Sequence, residues 1–353
     1  MDIIQQIKRI EEEIRRTPYN KATEHHIGRL KAKLARLKEE VEKQRRKKIS
    51  KSISIKKEGD ATVVLVGFPS VGKSTLLNKL TNAKSEVADY AFTTIKPQPG
   101  ILKYKGAEIQ IVDVPGIIEG ASKGKGMGKE VLSAVRVADL IVIVADVFTL
   151  YSIDIVKKEL YEAGIRLDEK PPEIVIKKMD RGGIKVKSTV PLSIDERTIV
   201  DILKEYRIHN AEVIIREDIT IDRLIDAVLG NRVYVPSITV VNKIDIYQPE
   251  LPKDVIPISA EKGINLDILK EEIFKKLEFI RIYLKPPGGK PDFDEPLIMR
   301  RGCTIADICK KLHRDMLESF RYAKVWGKSV KFNGQRVGLD HILEDGDIVT
   351  IYA

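Results

Sequence analysis

Residues 67–74 read GFPSVGKS, two glycines five apart followed by a lysine and a hydroxyl side chain. A loop of Gly67, Pro69, Ser70, Val71 and Gly72 opening onto a helix would turn backbone N–H groups and the positive helix end toward phosphate. Lys73 can reach the β- and γ-phosphates of a nucleotide, the Ser74 hydroxyl can hold magnesium, and Thr75 completes the loop's binding set. Farther on, IVDVPG places Asp113 at a strand end, where it can hold magnesium through water. The Gly116 N–H, three residues later, can meet the γ-phosphate. NKID, Asn242 to Asp245, offers a carboxylate to the ring N–H and exocyclic amine of guanine. Adenine has no amine at that edge. Asn242 and Lys243 would fix this base loop, and the Ser259–Ala260 backbone of SAEKG would meet the guanine carbonyl.

Two further features belong to the γ-phosphate. In FTTIKP, Thr94 is the threonine expected to complete the magnesium shell, with Thr93 as the alternative. The catalytic candidates are therefore Lys73, Thr94 and Gly116. The stretch EGASKGKGMGKE, with glycines at 120, 124, 126 and 128, reads as a switch segment that responds to the γ-phosphate. Ile117 stands where a water-orienting glutamine is usual, so the site lacks a side-chain amide for the attacking water. Arg136 follows the switch and reads as a helix-surface residue rather than a cationic finger.

These residues need strands to carry them. Thr62 to Val66 is a continuous β-branched and aliphatic run, read as a strand buried on both faces, and STLLNKL is the helix after it. AEIQIVDVPG, DLIVIVADV and SITVVNKID continue the pattern between helices, so the fold class is an α/β open sheet with helices on both faces. Asp113 and Asn242 are 129 residues apart, whereas two helices and two strands with ordinary loops need about 50–60. Residues 167–235, with short strands PPEIVIKK, GGIKVKSTV and AEVIIRE and two helices, are the insertion.

The ends differ from this core. Ile3, Ile7, Ile10 and Ile14, then Leu30, Leu34, Leu37 and Val41, are helical stripes, broken at Pro18 with Asn20 as a cap. They predict an antiparallel hairpin with RRKK, Arg45 to Lys48, at or beyond its end. His25 and His26 are read as surface residues. The net charge is +10, and residues 1–58 hold 18 basic against 9 acidic side chains. The remainder is nearly neutral, which points the hairpin at a polyanion such as RNA, or at acidic protein. PPGGKPDFDEP near residue 286 marks a boundary. Beyond it GCTIADICKKLHRD is a helix with a Thr304/Asp307 capping box, KFNGQRV a hairpin turning at Asn333-Gly334, and DIVTIYA a closing strand. Cys303 and Cys309, the only cysteines, read as buried thiols in a reducing compartment. The charged start excludes a signal peptide and no apolar run approaches the ~18 residues of a membrane span. A cytoplasmic location is expected.

GFPSVGKSTLLNKLT, VADYAFTT, DVPGIIEGASKGKGMG and NKID resemble the Obg-like GTPases, specifically the developmentally regulated GTP-binding (DRG) subfamily of archaea and eukaryotes. The resemblance spans essentially the whole chain. It implies a basic helical hairpin domain (1–58), a P-loop GTPase domain (59–166 and 236–280), an inserted α/β domain (167–235) and a C-terminal TGS domain with a ubiquitin-like β-grasp (281–353). It further implies GTP/GDP and Mg2+ as ligands, slow GTP hydrolysis, association with ribosomes and RNA through the hairpin and the TGS domain, and a small regulatory partner protein. No membrane is implied, and a monomer is expected. Some relatives set potassium beside the phosphates in place of an arginine finger, with asparagine at the position of Ser70. Serine offers a weaker oxygen ligand, so K+ stimulation stays open here. Two functions stand side by side: a GTPase switch on the ribosome, or an RNA-binding module for which the nucleotide is mainly a structural ligand.

Overall fold

Strands with no polar face must be covered on both sides, and Ala61–Val66, Leu140–Asp146 and Ser237–Asn242 are buried at every residue. The computed structural model describes residues 3–47, 57–81, 98–114, 135–313 and 315–353. It divides into two units, Met1–Ser52 with Glu169–Tyr234, and Ile53–Asp168 with Val235–Ala353.

In the second unit a six-stranded sheet runs Val255–Pro257, Ser237–Asn242, Leu140–Asp146, Ala61–Val66, Ala107–Asp113, Gln98–Tyr104. The first five are mutually parallel and the last is antiparallel to its neighbour. Helices Lys73–Thr81 and Leu266–Lys276 send Leu76, Leu77, Leu80, Leu269 and Ile273 into the core beside Val63, Leu65 and Ile111. All five parallel strands end at one edge, so the loops carrying Gly67, Asp113, Asp146, Asn242 and Ser259 gather there. Open α/β sheets bind ligands at that edge.

A five-stranded sheet completes this unit in the order Leu297–Arg300, Phe279–Leu284, Ile348–Tyr352, Tyr322–Trp326, Gln335–Val337. The helix Ile305–Leu312 covers one face through Ile305, Ile308 and Cys309. Its Thr304/Asp307 capping box is formed. Cys303 and Cys309 are free and buried, and burial pushes the Cys303 thiol up to about 11. Asn333-Gly334 are the central pair of a turn, with the Gln335 N–H donating to the Phe332 carbonyl at 3.2 Å, but the connection between strands 322–326 and 335–337 is longer than expected, residues 327–334. Asp347 is the reason: its buried carboxylate accepts from the N–H groups of Lys328 (2.9 Å), Ser329 (3.4 Å) and Glu344 (2.8 Å), holding the loop away from the ladder.

The first unit corrects the reading of the hairpin as a domain of its own. Helices Ile3–Arg16 and Glu24–Lys47 do form, with Asn20 accepting from the N–H groups of Ala22 and Thr23. The longer helix, however, lies on the insertion. Ala32 and Ala35 join Ile199, Ile202, Ile221 and Val213 in one core. The insertion itself is a three-stranded sheet, Ile174–Lys178, Ala211–Ile215, Ile184–Ser188, with helices Glu196–Glu205 and Ile221–Leu229. Three strands cannot bury both helices' apolar faces, and the second hairpin helix supplies the missing cover. His25 is half-buried and pairs with Asp201 of helix Glu196–Glu205, and His26 meets Glu13 at 3.1 Å. The RRKK side chains lie outside the described ones. Among the described residues, no helix is long and apolar enough to cross a membrane.

Candidate functional site

The strand Ala61–Val66 delivers the chain to Gly67, where an added Cβ would lie 2.0 Å from the Val144 carbonyl of the adjacent strand. Only glycine lets the loop turn this close to the sheet. Pro69 and Ser70 are exposed at the crest, with Ser70 in the left-handed region at φ 63°. Gly72 sits at φ 94°, and a Cβ there would meet Asn242 Nδ2 at 2.3 Å. The helix then opens at Lys73, with the Leu76 N–H donating to the Gly72 carbonyl at 2.9 Å.

Lys73 is buried and folds back onto its own loop, donating to the carbonyls of Phe68 (2.9 Å) and Gly67 (3.3 Å). Burial pulls its amine below the ordinary lysine range, against the opposing pull of Asp113. The Ser74 hydroxyl donates to Asp113 Oδ2 at 2.5 Å. Asp113 Oδ1 is buried with no hydrogen-bond partner. Burial pushes this carboxyl up, and Lys73 and the Ser74 hydrogen bond pull it back down. A buried carboxylate oxygen without a donor, on the same carboxylate that accepts from the Ser74 hydroxyl, is a donor set for a hard cation. The residues present fit magnesium. Thr75, half-buried on the first turn of the helix, makes no contact here that sets it apart.

Asn242 is the keystone of the base side. Its Nδ2 donates to the Val71 carbonyl and its Oδ1 accepts from the Ala260 N–H, both at 2.9 Å. One buried amide thus ties the phosphate loop to the SAEKG loop. The Ser259 N–H is likewise engaged, with Ile264 O at 3.2 Å. Both N–H groups have acceptors within the chain, which shapes the loop expected to meet the guanine carbonyl. Lys243, at φ 68°, extends across the crest and donates to the Ser70 carbonyl (3.0 Å) and to Asp146 Oδ2 (2.6 Å). Asp245 is exposed and forms no ion pair with a described residue, leaving its carboxylate available to a base.

Asp146 was missed by sequence reasoning. It is buried, and besides Lys243 it accepts from Thr149 Oγ1 (2.7 Å) and the Phe148 N–H (3.1 Å). Burial alone would raise its carboxyl, but these donors outweigh it and hold it below the usual carboxylate range. The available signal was an acid closing the apolar run LIVIVAD at the carboxyl end of a buried strand.

Arg136 is half-buried and donates to the Ala163 carbonyl, past the end of helix Ser152–Glu162. It precedes the strand Leu140–Asp146 and so lies toward the opposite edge of the sheet. Thr93, Thr94, Gly116, Ile117 and the glycine-rich stretch lie outside the described residues.

Residues 62–178 match a family model described as a 50S ribosome-binding GTPase, residues 181–279 one described as the C-terminal region of the same domain, and residues 280–353 the TGS domain. The first two meet inside the insertion, whose strand Ile174–Lys178 pairs with Ala211–Ile215. An uncharacterized GTP-binding protein of Methanocaldococcus jannaschii is 63% identical, covering 99% of this chain and 93% of its own. The developmentally-regulated GTP-binding protein 1 homolog of Dictyostelium discoideum is 47% identical over 99% of both chains. Among solved structures, the YchF GTPase of Schizosaccharomyces pombe is similar over 86% of this chain and 100% of its own, at 14% identity and a TM-score of 0.46.

Proposed function

This chain belongs to the developmentally regulated GTP-binding proteins, P-loop GTPases with a C-terminal TGS domain, and on that premise we propose a slow, magnesium-dependent GTP hydrolase acting as a ribosome- and RNA-associated switch in the cytoplasm. The observation that carries the hydrolase reading is Asp113, half-buried beside Lys73 and Ser74 with its buried Oδ1 unpartnered. Ser74 and Asp113 would hold magnesium, joined by Thr94, and the ion would neutralise charge on the β- and γ-phosphates.

The chain's own residues do the rest. Lys73, now satisfied by two loop carbonyls, would exchange them for phosphate oxygens in a site where low dielectric strengthens the contact. Lys243 and Asn242 hold the loops, and Asp245 reads guanine. The Gly116 N–H would report the γ-phosphate. Ile117 brings no hydrogen-bonding group to the attacking water, so intrinsic turnover is slow until something else orients it. Ser70, exposed at the loop crest, is where a monovalent cation such as K+ would stand.

Multiple-turnover GTP hydrolysis in matched potassium and sodium buffers tests this, with ATP as control and Lys73→Ala as blank. Slow turnover specific to GTP and absent from the blank is expected. Turnover of ATP at the same rate would overturn the guanine assignment, and GTP turnover by Lys73→Ala would overturn the site. A rate higher in potassium would mean that the cation replaces the missing catalytic group despite Ser70. Equal rates would leave completion of the site to the ribosome or a small regulatory partner. The ribosome and RNA reading is supported by the matched family's description and by the charge of residues 1–58. It predicts RNA affinity that falls steeply with salt and differs between GDP and a non-hydrolysable GTP analogue.

A further inference from the structure

The five-stranded sheet of the TGS domain has one face filled by its core and another that the core does not use. On strand Tyr322–Trp326 the residues Ala323 and Val325 are buried inward, which sends Tyr322, Lys324 and Trp326 to the other face. Register places Tyr352 opposite Tyr322 and Arg336 opposite Lys324 on that same face. The side chains there are ordered into a stack. Arg336 lies with its guanidinium carbon 3.6 Å over the Tyr322 ring, and the Tyr322 and Tyr352 rings are near-parallel at 16° with centroids 4.5 Å apart. Lys324 reaches to 5.8 Å from the Tyr352 ring, and Lys285 stands 4.3 Å over Trp326. The GTPase core takes up the same face only at its other edge, on strands Phe279–Leu284 and Leu297–Arg300, where Phe279 and Ile298 join that core and Phe279 meets Phe274 of helix Leu266–Lys276 at 5.7 Å.

We propose that this face of the TGS domain, built on Tyr322, Tyr352, Trp326, Lys285, Lys324 and Arg336, binds single-stranded RNA by stacking unpaired bases against its rings. The inference rests on the RNA reading above and names the surface and the binding mode. None of Lys285, Lys324 and Arg336 forms an ion pair with a described residue, so their charge is open to phosphate. Cations held over ring faces and a guanidinium–Tyr–Tyr column match the way proteins receive bases, which carry a π-face whatever their identity. An acidic peptide would satisfy the cations and leave the rings without purpose. A duplex would satisfy the cations too, but its base faces are closed.

Trp326 is the only tryptophan in the chain, so its fluorescence reports this face in the full-length protein. An oligouridine of about 12 nucleotides, within the site sizes of single-strand-binding folds, is titrated while Trp326 emission is followed. The anisotropy of a labelled copy of the oligomer is followed in parallel. Quenching of Trp326 that saturates with the anisotropy change is expected. Tyr352→Ala should weaken binding at least about fivefold, with Tyr352→Phe close to the native protein. Lys324→Gln, which leaves the stack in place, should lower the salt dependence of binding. Oligomer that binds by anisotropy with Trp326 emission and the Tyr352→Ala affinity unchanged would overturn this surface and leave the wider RNA reading intact. No binding by either readout would overturn both. Equal quenching by the duplexed oligomer, or by polyglutamate, would overturn base stacking in favour of a purely electrostatic or acidic-protein surface.

Discussion

Asp146 shows how one side chain sets the geometry of others that touch a ligand. Lys243 is a long, flexible amine, and its position over the phosphate loop depends on the two acceptors it reaches, Asp146 and the Ser70 carbonyl. Asp146→Asn should weaken GTP and GDP binding alike and cost stability of about 1.5–3 kcal/mol, the scale of a charge-assisted hydrogen bond. Isothermal titration and thermal melting of the two proteins check both. The pH dependence has a definite sign. Asp146's carboxyl is held below its ordinary range in the fold, so its contribution is full above the unfolded value and is lost as pH falls through the depressed folded value. The difference in melting temperature between the native protein and Asp146→Asn should therefore be largest near neutrality and close in acid. Asp245 plays the complementary part, exposed and unencumbered. Asp245→Ala should erode the preference for GTP over ATP, read by competition binding, while leaving the melting temperature nearly unchanged.

At the scale of elements, the site is a set of loops at parallel strand ends that must be tied together. Asn242 makes that tie with two hydrogen bonds, and Gly72 leaves the space for it. Gly72→Ala would place a methyl at 2.3 Å from the Asn242 amide and in a backbone region that disfavours a Cβ. Loss of tenfold or more in nucleotide affinity is expected, on the scale of one broken buried hydrogen bond plus strain. Fluorescent GDP titration measures it, and an unchanged affinity would mean the loop accommodates the methyl by moving freely. Elements were most legible where burial is two-sided: LIVIVAD and ATVVLV can hardly be anything but central strands. They were least legible at residues 327–334, where the loop's path is set by Asp347, thirteen residues beyond its end and invisible to local turn chemistry.

At the scale of the whole molecule, the chain forms two units, and both are assembled from separate stretches of sequence. The hairpin belongs to the insertion because each lacks something the other supplies: the three-stranded sheet and its helices expose an apolar surface, and the second hairpin helix presents Ala32 and Ala35 to it. Gly28 marks how close the approach is, since an added Cβ would stand 2.9 Å from Thr198 Cγ2 and 3.4 Å from Ile202 Cδ1. Gly28→Leu should overpack this seam and destabilise the unit by about 1–3 kcal/mol. GDP affinity should stay the same, because the nucleotide loops lie in the other unit. Differential scanning calorimetry with and without GDP separates the two effects. A single transition shifted together with nucleotide affinity would mean the units unfold as one.

What the sequence determined by itself was the set of motifs and their carriers. GFPSVGKS, the strand-end Asp113 and NKID are short motifs that depend on local backbone form, and each announces itself at a strand end. The buried strands were equally plain, because a parallel sheet leaves no polar alternation to confuse. The tertiary structure alone decided which groups meet across sequence. Asn242 reaching Val71 and Ala260, and Lys243 reaching Ser70 and Asp146, are contacts between residues that no spacing brings together. So is the seating of the hairpin on the insertion. Apolar periodicity says that a helix face must be covered, but what covers it depends on which other surface in the fold is left short of cover, and that is a property of the assembled layers rather than of any one segment.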